Sequence, residues 1–200
     1  MLLTGKSLSW PKVIVFAFAT AAVTALLNVI PFLKNTSFTD PATYPEVWIL
    51  FALIIICRSE KWYEAVLKTF VFFLVSQPLI YLIEVPFSSL GFGLFMYYKR
   101  WFIITLLTIP GAAIAFLVKK GNILSSIILS VATSLVAMLL VVYVKSFIAH
   151  FPFHLLSAVF CGALIVYLII VLLPGKRERI ITSVITGLAL IGSSFYNPLF

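Results

Sequence analysis

The sequence has few charged residues, and acidic residues are the scarcest of them. Charged residues make up 10% of the 200 positions, with 14 Lys and Arg against only six Asp and Glu. Soluble domains average about 25% charged residues, so this composition excludes an ordinary water-exposed surface. The two cysteines, Cys57 and Cys161, are expected at different depths of a membrane. They therefore do not indicate a disulfide scaffold and are expected to be small apolar packing residues.

Motifs of cofactor binding and catalysis are also lacking. The sequence contains no phosphate-binding loop, no serine in a glycine-rich elbow and no pair of aspartates within an apolar run. His150 and His154 are four residues apart, but Pro152 between them prevents the regular helix that would place both on one face. We therefore expect no metal, nucleotide or other cofactor. A membrane-embedded enzyme is the least supported of the function classes considered.

What the chain has instead is a series of apolar runs about as long as a bilayer is thick. Hydrophobic residues make up 63% of the chain, and its mean hydropathy is +1.19. A helix of about 20 apolar residues crosses the roughly 30 Å hydrocarbon core of a membrane. The sequence thus predicts an all-α polytopic membrane bundle, one transmembrane domain over residues 1–200, with seven spans at 12–33, 43–57, 64–83, 101–118, 122–147, 154–173 and 179–196.

The second predicted span is the weakest, because its uninterrupted apolar part covers only residues 47–57. It reaches spanning length only by including Pro41 to Glu46. A short, tilted span and a re-entrant segment both fit this pattern. Six spans with a re-entrant second segment is the alternative to seven.

The basic residues predict how the bundle is oriented. With seven spans, ten of the 14 Lys and Arg fall on the side of the N-terminus, and the other four are Lys34, Lys99, Arg100 and Lys145. Cytoplasmic loops collect Lys and Arg, so we expect the N-terminus inside the cell and the C-terminus outside, in the plasma membrane. Because the basic residues are scattered among short loops, the net charge of +8 indicates contact with the lipid bilayer and not with nucleic acid.

Two segments of similar sequence suggest an internal repeat. The third span ends in Ser76-Gln77-Pro78-Leu79-Ile80, and the chain ends in Tyr196-Asn197-Pro198-Leu199-Phe200. Each has an amide, a proline, a leucine and an apolar residue in the same order. This predicts three-helix repeats at 12–83 and 122–198, joined by a helix at 101–118. The layout resembles the three-one-three arrangement of the SWEET sugar carriers and of related vitamin-precursor carriers.

A second resemblance is to the substrate-binding S-components of energy-coupling-factor vitamin transporters. Ala17, Ala21 and Ala25 recur every four residues and give the first helix a smooth face. The stretch from SQPLIYLIEVPF to KRWFIITLLTIPGAAIAF is similar to the region between the third and fourth helices of the S-components. The resemblance implies a solute-binding subunit that docks on a membrane protein partner. The alanine face would serve either that partner, including a second copy in a homo-oligomer, or packing within the bundle.

Polar residues near the outer ends of the spans are the candidates for binding a solute, because ionisable groups are costly inside a membrane. The candidates are Glu46, Gln77, Glu84, Arg100, His154 and Asn197. The apolar segment from Glu84 to Arg100 is expected to lie in the membrane interface or to cap the bundle. We predict a small integral membrane protein that binds or transports a small solute from an outward-facing pocket. The alternative is a non-catalytic accessory or assembly subunit of a membrane complex.

Overall fold

The computed structural model of the protein describes residues 7–33, 36–40, 44–151, 153–173 and 175–195. These ranges contain helices and connecting turns, and no strand occurs within them. Their seven α-helices are α1 (Trp10–Val29), α2 (Pro45–Cys57), α3 (Trp62–Glu84), α4 (Phe95–Phe116), α5 (Ile123–Ala149), α6 (Leu155–Leu172) and α7 (Lys176–Phe195).

Six of these helices are long and apolar enough to cross a membrane, which indicates a membrane protein and confirms the predicted all-helical class. The exception is α2, with only 13 residues. At 1.5 Å per residue it is about 20 Å long, shorter than the hydrocarbon core. The second predicted span therefore corresponds to a real but short helix.

Local sequence signals fix several helix ends. Pro45 is the first residue of α2, where a missing backbone N–H removes no hydrogen bond. At the start of α5, Asn122 and Ser125 each accept a hydrogen bond from the other's backbone N–H and form a capping box. The preceding Gly121 has φ 61°, a left-handed conformation that glycine adopts without steric cost.

The helices run alternately between two ends of the bundle. At one end, the N–H of Leu8 donates to the carbonyl of Arg58 (3.3 Å) and Lys119 Nζ donates to the carbonyl of Ser59 (2.5 Å). Lys68 also lies here, buried and paired with Glu64. We call this the Lys68 end.

The opposite end is named the Glu46 end. Here Asn28, at the end of α1, donates to Glu84, at the end of α3, over 2.7 Å. The N–H of Leu155, the first residue of α6, donates to the Ser37 hydroxyl over 2.7 Å. The loop after α1 and the start of α6 therefore meet, although more than 100 residues separate them in sequence.

The bundle consists of two halves with α2 between them. In the first half, α3 packs against α1, α2 and α4, and in the second half α5 packs against α6 and α7. The short α2 also contacts α6. The three-helix repeats stay a prediction.

The core of the first half combines aromatic rings with the alanine face. Trp48 of α2 packs against Phe72 and Phe73 of α3, with ring centroids 6.2 and 6.0 Å apart. Ala17, Ala21 and Ala25 of α1 have an exposed fraction of 0% and belong to the same cluster. The smooth face of α1 is thus covered by the chain itself.

The second half is held together by hydroxyl groups as well as by apolar contacts. The Ser130 hydroxyl of α5 donates to Thr182 of α7 (3.3 Å), and one helical turn away Thr133 and Thr186 share a hydrogen bond of 2.7 Å. All four side chains are buried. Lipid tails are as apolar as leucine, so such interhelical hydrogen bonds and close packing drive association of membrane helices.

Replacing Ala21 by Leu is expected to destabilise the bundle by about 1–3 kcal/mol, because the larger side chain has no space in this packed cluster. Ala19→Leu is the matched control, since Ala19 lies on the exposed side of the same helix. The melting temperatures of the detergent-purified variants test this. A melting temperature of Ala21→Leu equal to that of Ala19→Leu would contradict the closed packing of α1.

Candidate functional site

Glu46 is the most deeply buried acidic residue in the described part of the chain, with an exposed fraction of 0%. It lies in the first turn of α2. The Tyr143 hydroxyl of α5 donates to Glu46 Oε2 over 3.1 Å, and the Ser157 hydroxyl of α6 donates to Oε1. Both donors are neutral, and the described residues place no cation in a salt bridge with this carboxyl. A buried carboxyl must be hydrogen-bonded in this way to be tolerated.

A second acidic residue lies beside Glu46. Asp40, which precedes α2 in the chain, is buried, and its Oδ1 is 3.8 Å from His154 Nδ1. Burial raises the pKa of the Asp40 carboxyl above its ordinary value of 3.8, while the Ser37 hydroxyl and the His154 ring partly offset this effect. Neither Asp40 Oδ2 nor His154 Nδ1 has a hydrogen-bond partner among the described residues.

Aromatic rings hold His154 in place. Its ring stacks on Tyr143, with centroids 5.6 Å apart and an interplanar angle of 21°, and Tyr44 contacts it edge-on at 5.0 Å. His154 is the residue before α6 and has φ 65°. It is the one non-glycine residue with positive φ in the described ranges, and backbone strain of this kind persists only where neighbours hold it. We call Asp40, Tyr44, Glu46, Tyr143, His154 and Ser157 the Glu46 cluster.

The Glu46 cluster contains residues that the sequence analysis missed. Tyr143 is one tyrosine in the long apolar run of α5, and no pattern there distinguishes it from an ordinary core residue. Asp40 could have been chosen as a candidate from the sequence, because it is one of only six acidic residues and lies beside the span that carries Glu46. The two residues that the sequence did single out here, Glu46 and His154, are brought together.

A separate open pocket of 390 Å³ lies at the same end of the bundle. Glu84 and Asn28 form its polar wall, joined by their 2.7 Å hydrogen bond. The full lining is Asn28, Val29, Glu84, Phe87, Ser88, Ser89 and Leu94. A carboxylate, an amide and two hydroxyls in one cavity can hydrogen-bond a polar solute, while the aromatic and aliphatic side chains contact its apolar part. We call this the Glu84 pocket.

The apolar segment after α3 forms much of this pocket. Short 3₁₀ turns at Val85–Phe87 and Gly91–Leu94 lead into α4, which begins at Phe95. Phe87 and Phe92 have exposed fractions of 64% and 72%. Large exposed rings in a membrane protein are typical of the membrane interface. The segment therefore combines an exposed apolar surface with one wall of the Glu84 pocket.

The remaining candidates lie elsewhere. Gln77 is buried within α3, and its Nε2 has no hydrogen-bond partner in the described part of the chain. Arg100 is exposed on α4. Neither residue lines the Glu84 pocket. Asn197 lies outside the described residues.

The described residues include no group of three or more His, Cys, Asp or Glu placed to hold a metal ion.

The chain has no match among protein-family models, curated proteins or solved structures.

Glu46→Ala is expected to lower stability by about 1–3 kcal/mol, because it leaves two buried hydroxyls without their acceptor. Glu46→Gln should cost less, since the amide oxygen still accepts a hydrogen bond. Melting temperatures in detergent measure the difference, with Glu60→Ala as the control because Glu60 is exposed at the other end. If Glu46→Ala and Glu60→Ala melt at the same temperature, the carboxyl of Glu46 does not bind the helices together.

Proposed function

We propose that this protein binds a small polar solute in the Glu84 pocket and transports it or presents it to a membrane partner. The observation that carries the proposal is the polar lining of an open cavity in a chain that has very few polar residues. A volume of 390 Å³ falls within the range of about 300–1,000 Å³ that is usual for small-molecule sites. An ionisable residue at such a place in a membrane protein is a functional candidate by default.

The hydrogen bonding of Glu84 supports this assignment. Asn28 donates to Oε1 of the carboxyl, and no described side chain donates to Oε2. One carboxyl oxygen is thus held in position by α1, and the other remains available to a hydrogen-bond donor on a solute. Ser88 and Ser89 also line the pocket, and the Ser88 hydroxyl accepts a hydrogen bond from the N–H of Leu90 (3.2 Å).

We propose further that the pocket opens to the outside of the cell and that α2 is a seventh, short crossing of the plasma membrane. The support is the position of α2. Its first turn carries Glu46 at one end of the bundle, and Arg58, the residue that follows α2, accepts a backbone hydrogen bond from Leu8 at the other end. Most of the described basic residues lie at the Lys68 end, and loops rich in Lys and Arg usually face the cytoplasm. The N-terminus is then inside and the C-terminus outside.

A thermal-shift screen of the purified protein against vitamins, sugars, nucleosides and amino acids tests the solute site. A ligand of the folded state raises the melting temperature as its concentration rises. Glu84→Ala should increase the concentration needed for half of the shift by about tenfold, because a charge-assisted hydrogen bond is lost. Glu60→Ala should leave the titration unchanged.

Equal titrations for Glu84→Ala and Glu60→Ala would exclude the Glu84 pocket as the site. The absence of any saturable shift across the screen would favour the accessory-subunit alternative.

Cysteine labelling in intact cells tests the orientation. In a Cys57→Ser, Cys161→Ser background, Ser89→Cys should react with a membrane-impermeant maleimide, because Ser89 is exposed beside the Glu84 pocket. Lys120→Cys, at an exposed position in the turn that follows the other end of α4, should react only after the cells are permeabilised. The reverse pattern would invert the proposed topology, and labelling of both from outside would show that α4 does not cross the membrane.

A further inference from the structure

The contact between α2 and α6 leaves an apolar crevice below the Glu46 cluster. Near the Glu46 end the two helices are joined by the hydrogen bond from Ser157 to Glu46. Further along they separate around a volume of 230 Å³. Its walls are Leu50 and Ile54 of α2 and Phe160, Ala163, Leu164 and Tyr167 of α6. No charged side chain faces this volume, so its contents must be apolar.

The crevice leads toward a charged residue. A second cavity of about 10 Å³ shares Leu50, Ile54 and Tyr167 with the crevice and is also lined by Cys57 and Arg58 at the Lys68 end. Arg58 therefore lies beyond one end of the crevice.

Arg58 lacks a partner for its charge. Its Nε is buried, and no hydrogen bond or ion pair of the guanidinium occurs among the described residues. The nearby Lys119, which donates to the carbonyl of Ser59, adds a further positive charge. The described carboxylate of Glu64 is paired with Lys68. The exposed Glu60 lies at the same end, but no salt bridge joins it to Arg58 among the described residues. A buried donor without a partner, such as Arg58 Nε, is costly.

We propose that this crevice binds an anionic phospholipid, with one acyl chain between α2 and α6 and the phosphate at Arg58. The apolar walls match a hydrocarbon chain. The guanidinium matches a phosphate, which accepts two parallel N–H donors from it. Basic pockets between membrane helices at the cytoplasmic side bind anionic head groups in this way.

Arg58 lies at the end of the bundle, where a lipid head group is expected. The N–H of Leu8, two residues before α1, donates to the carbonyl of Arg58, so Arg58 is level with the end of a longer helix. A lipid phosphate at Arg58 neutralises its charge at that depth. The site is at the opposite end from the Glu84 pocket, so the proposal does not depend on solute binding.

The test is lipid retention by the purified full-length chain. The protein is incubated in detergent with equimolar phosphatidylglycerol and phosphatidylcholine, and the lipid that remains bound is measured by native mass spectrometry. The wild-type protein should retain phosphatidylglycerol preferentially. Arg58→Gln should weaken this retention about tenfold, since a charge-assisted contact is removed. Arg177→Gln, an exposed arginine at the same end, removes the same charge and should have no effect.

A second variant tests the acyl chain separately from the phosphate. Ala163→Trp places a large ring in the crevice from its exposed rim and should reduce phosphatidylglycerol retention while Arg58 stays intact. If Arg58→Gln does not fold, Arg58→Lys takes its place and should retain less phosphatidylglycerol than the wild type, because it cannot bind bidentately.

Three results would overturn the proposal. One is equal retention by Arg58→Gln and Arg177→Gln. Another is retention of both lipids in equal amounts by the wild type. The last is displacement of the bound phosphatidylglycerol by inorganic phosphate at millimolar concentration, which would show a simple anion site.

Discussion

A carboxyl group that has been taken out of water needs hydrogen-bond donors from the protein, and for Glu46 these come from two other helices. Tyr143 of α5 and Ser157 of α6 each supply one donor, so the position of α2 is coupled to that of both partners. Because α2 also packs against α3 and α4, the same helix connects the two halves of the bundle. Shifting either half would leave a buried polar group unpaired, which costs about 1–3 kcal/mol. The arrangement of the halves therefore depends on the hydrogen bonds of this one residue.

The two polar sites at the Glu46 end differ in a way that suits different roles. In the Glu46 cluster both carboxyl oxygens of Glu46 accept hydrogen bonds, the side chains of Asp40, Glu46, Tyr143 and Ser157 are buried, and aromatic rings contact His154. The Glu84 pocket is open, and its carboxyl has a donor at one oxygen only. The first arrangement fixes helices in place, whereas the second leaves hydrogen-bonding capacity for another molecule. Under the proposed function, Glu46 serves the structure and Glu84 serves binding.

The helices could be predicted from the sequence because the length and the apolarity of a run decide whether it can cross a membrane. The weakness of the second run was visible in the same way and corresponds to the 13 residues of α2. The grouping of polar residues could not be predicted. Glu46 meets Tyr143 only because α2 packs between the two halves, which no local pattern encodes. Gln77 was a candidate on account of its amide near Pro78, but which side of α3 faces the core depends on neighbours that are distant in sequence. Arg100 was a candidate because it begins a span, yet it lies exposed on α4.

The short length of α2 also constrains how the chain assembles during synthesis. A helix of 13 residues is too short to enter the bilayer stably as an independent segment, so its insertion must be coupled to that of a longer neighbour. The donors for Glu46 are 97 and 111 residues further along the chain. At a synthesis rate of about 5–20 residues per second, the carboxyl waits several seconds for them. During that interval α2 has its contacts with α3 and α4, but Glu46 lacks the hydrogen bonds that Tyr143 and Ser157 later donate to it.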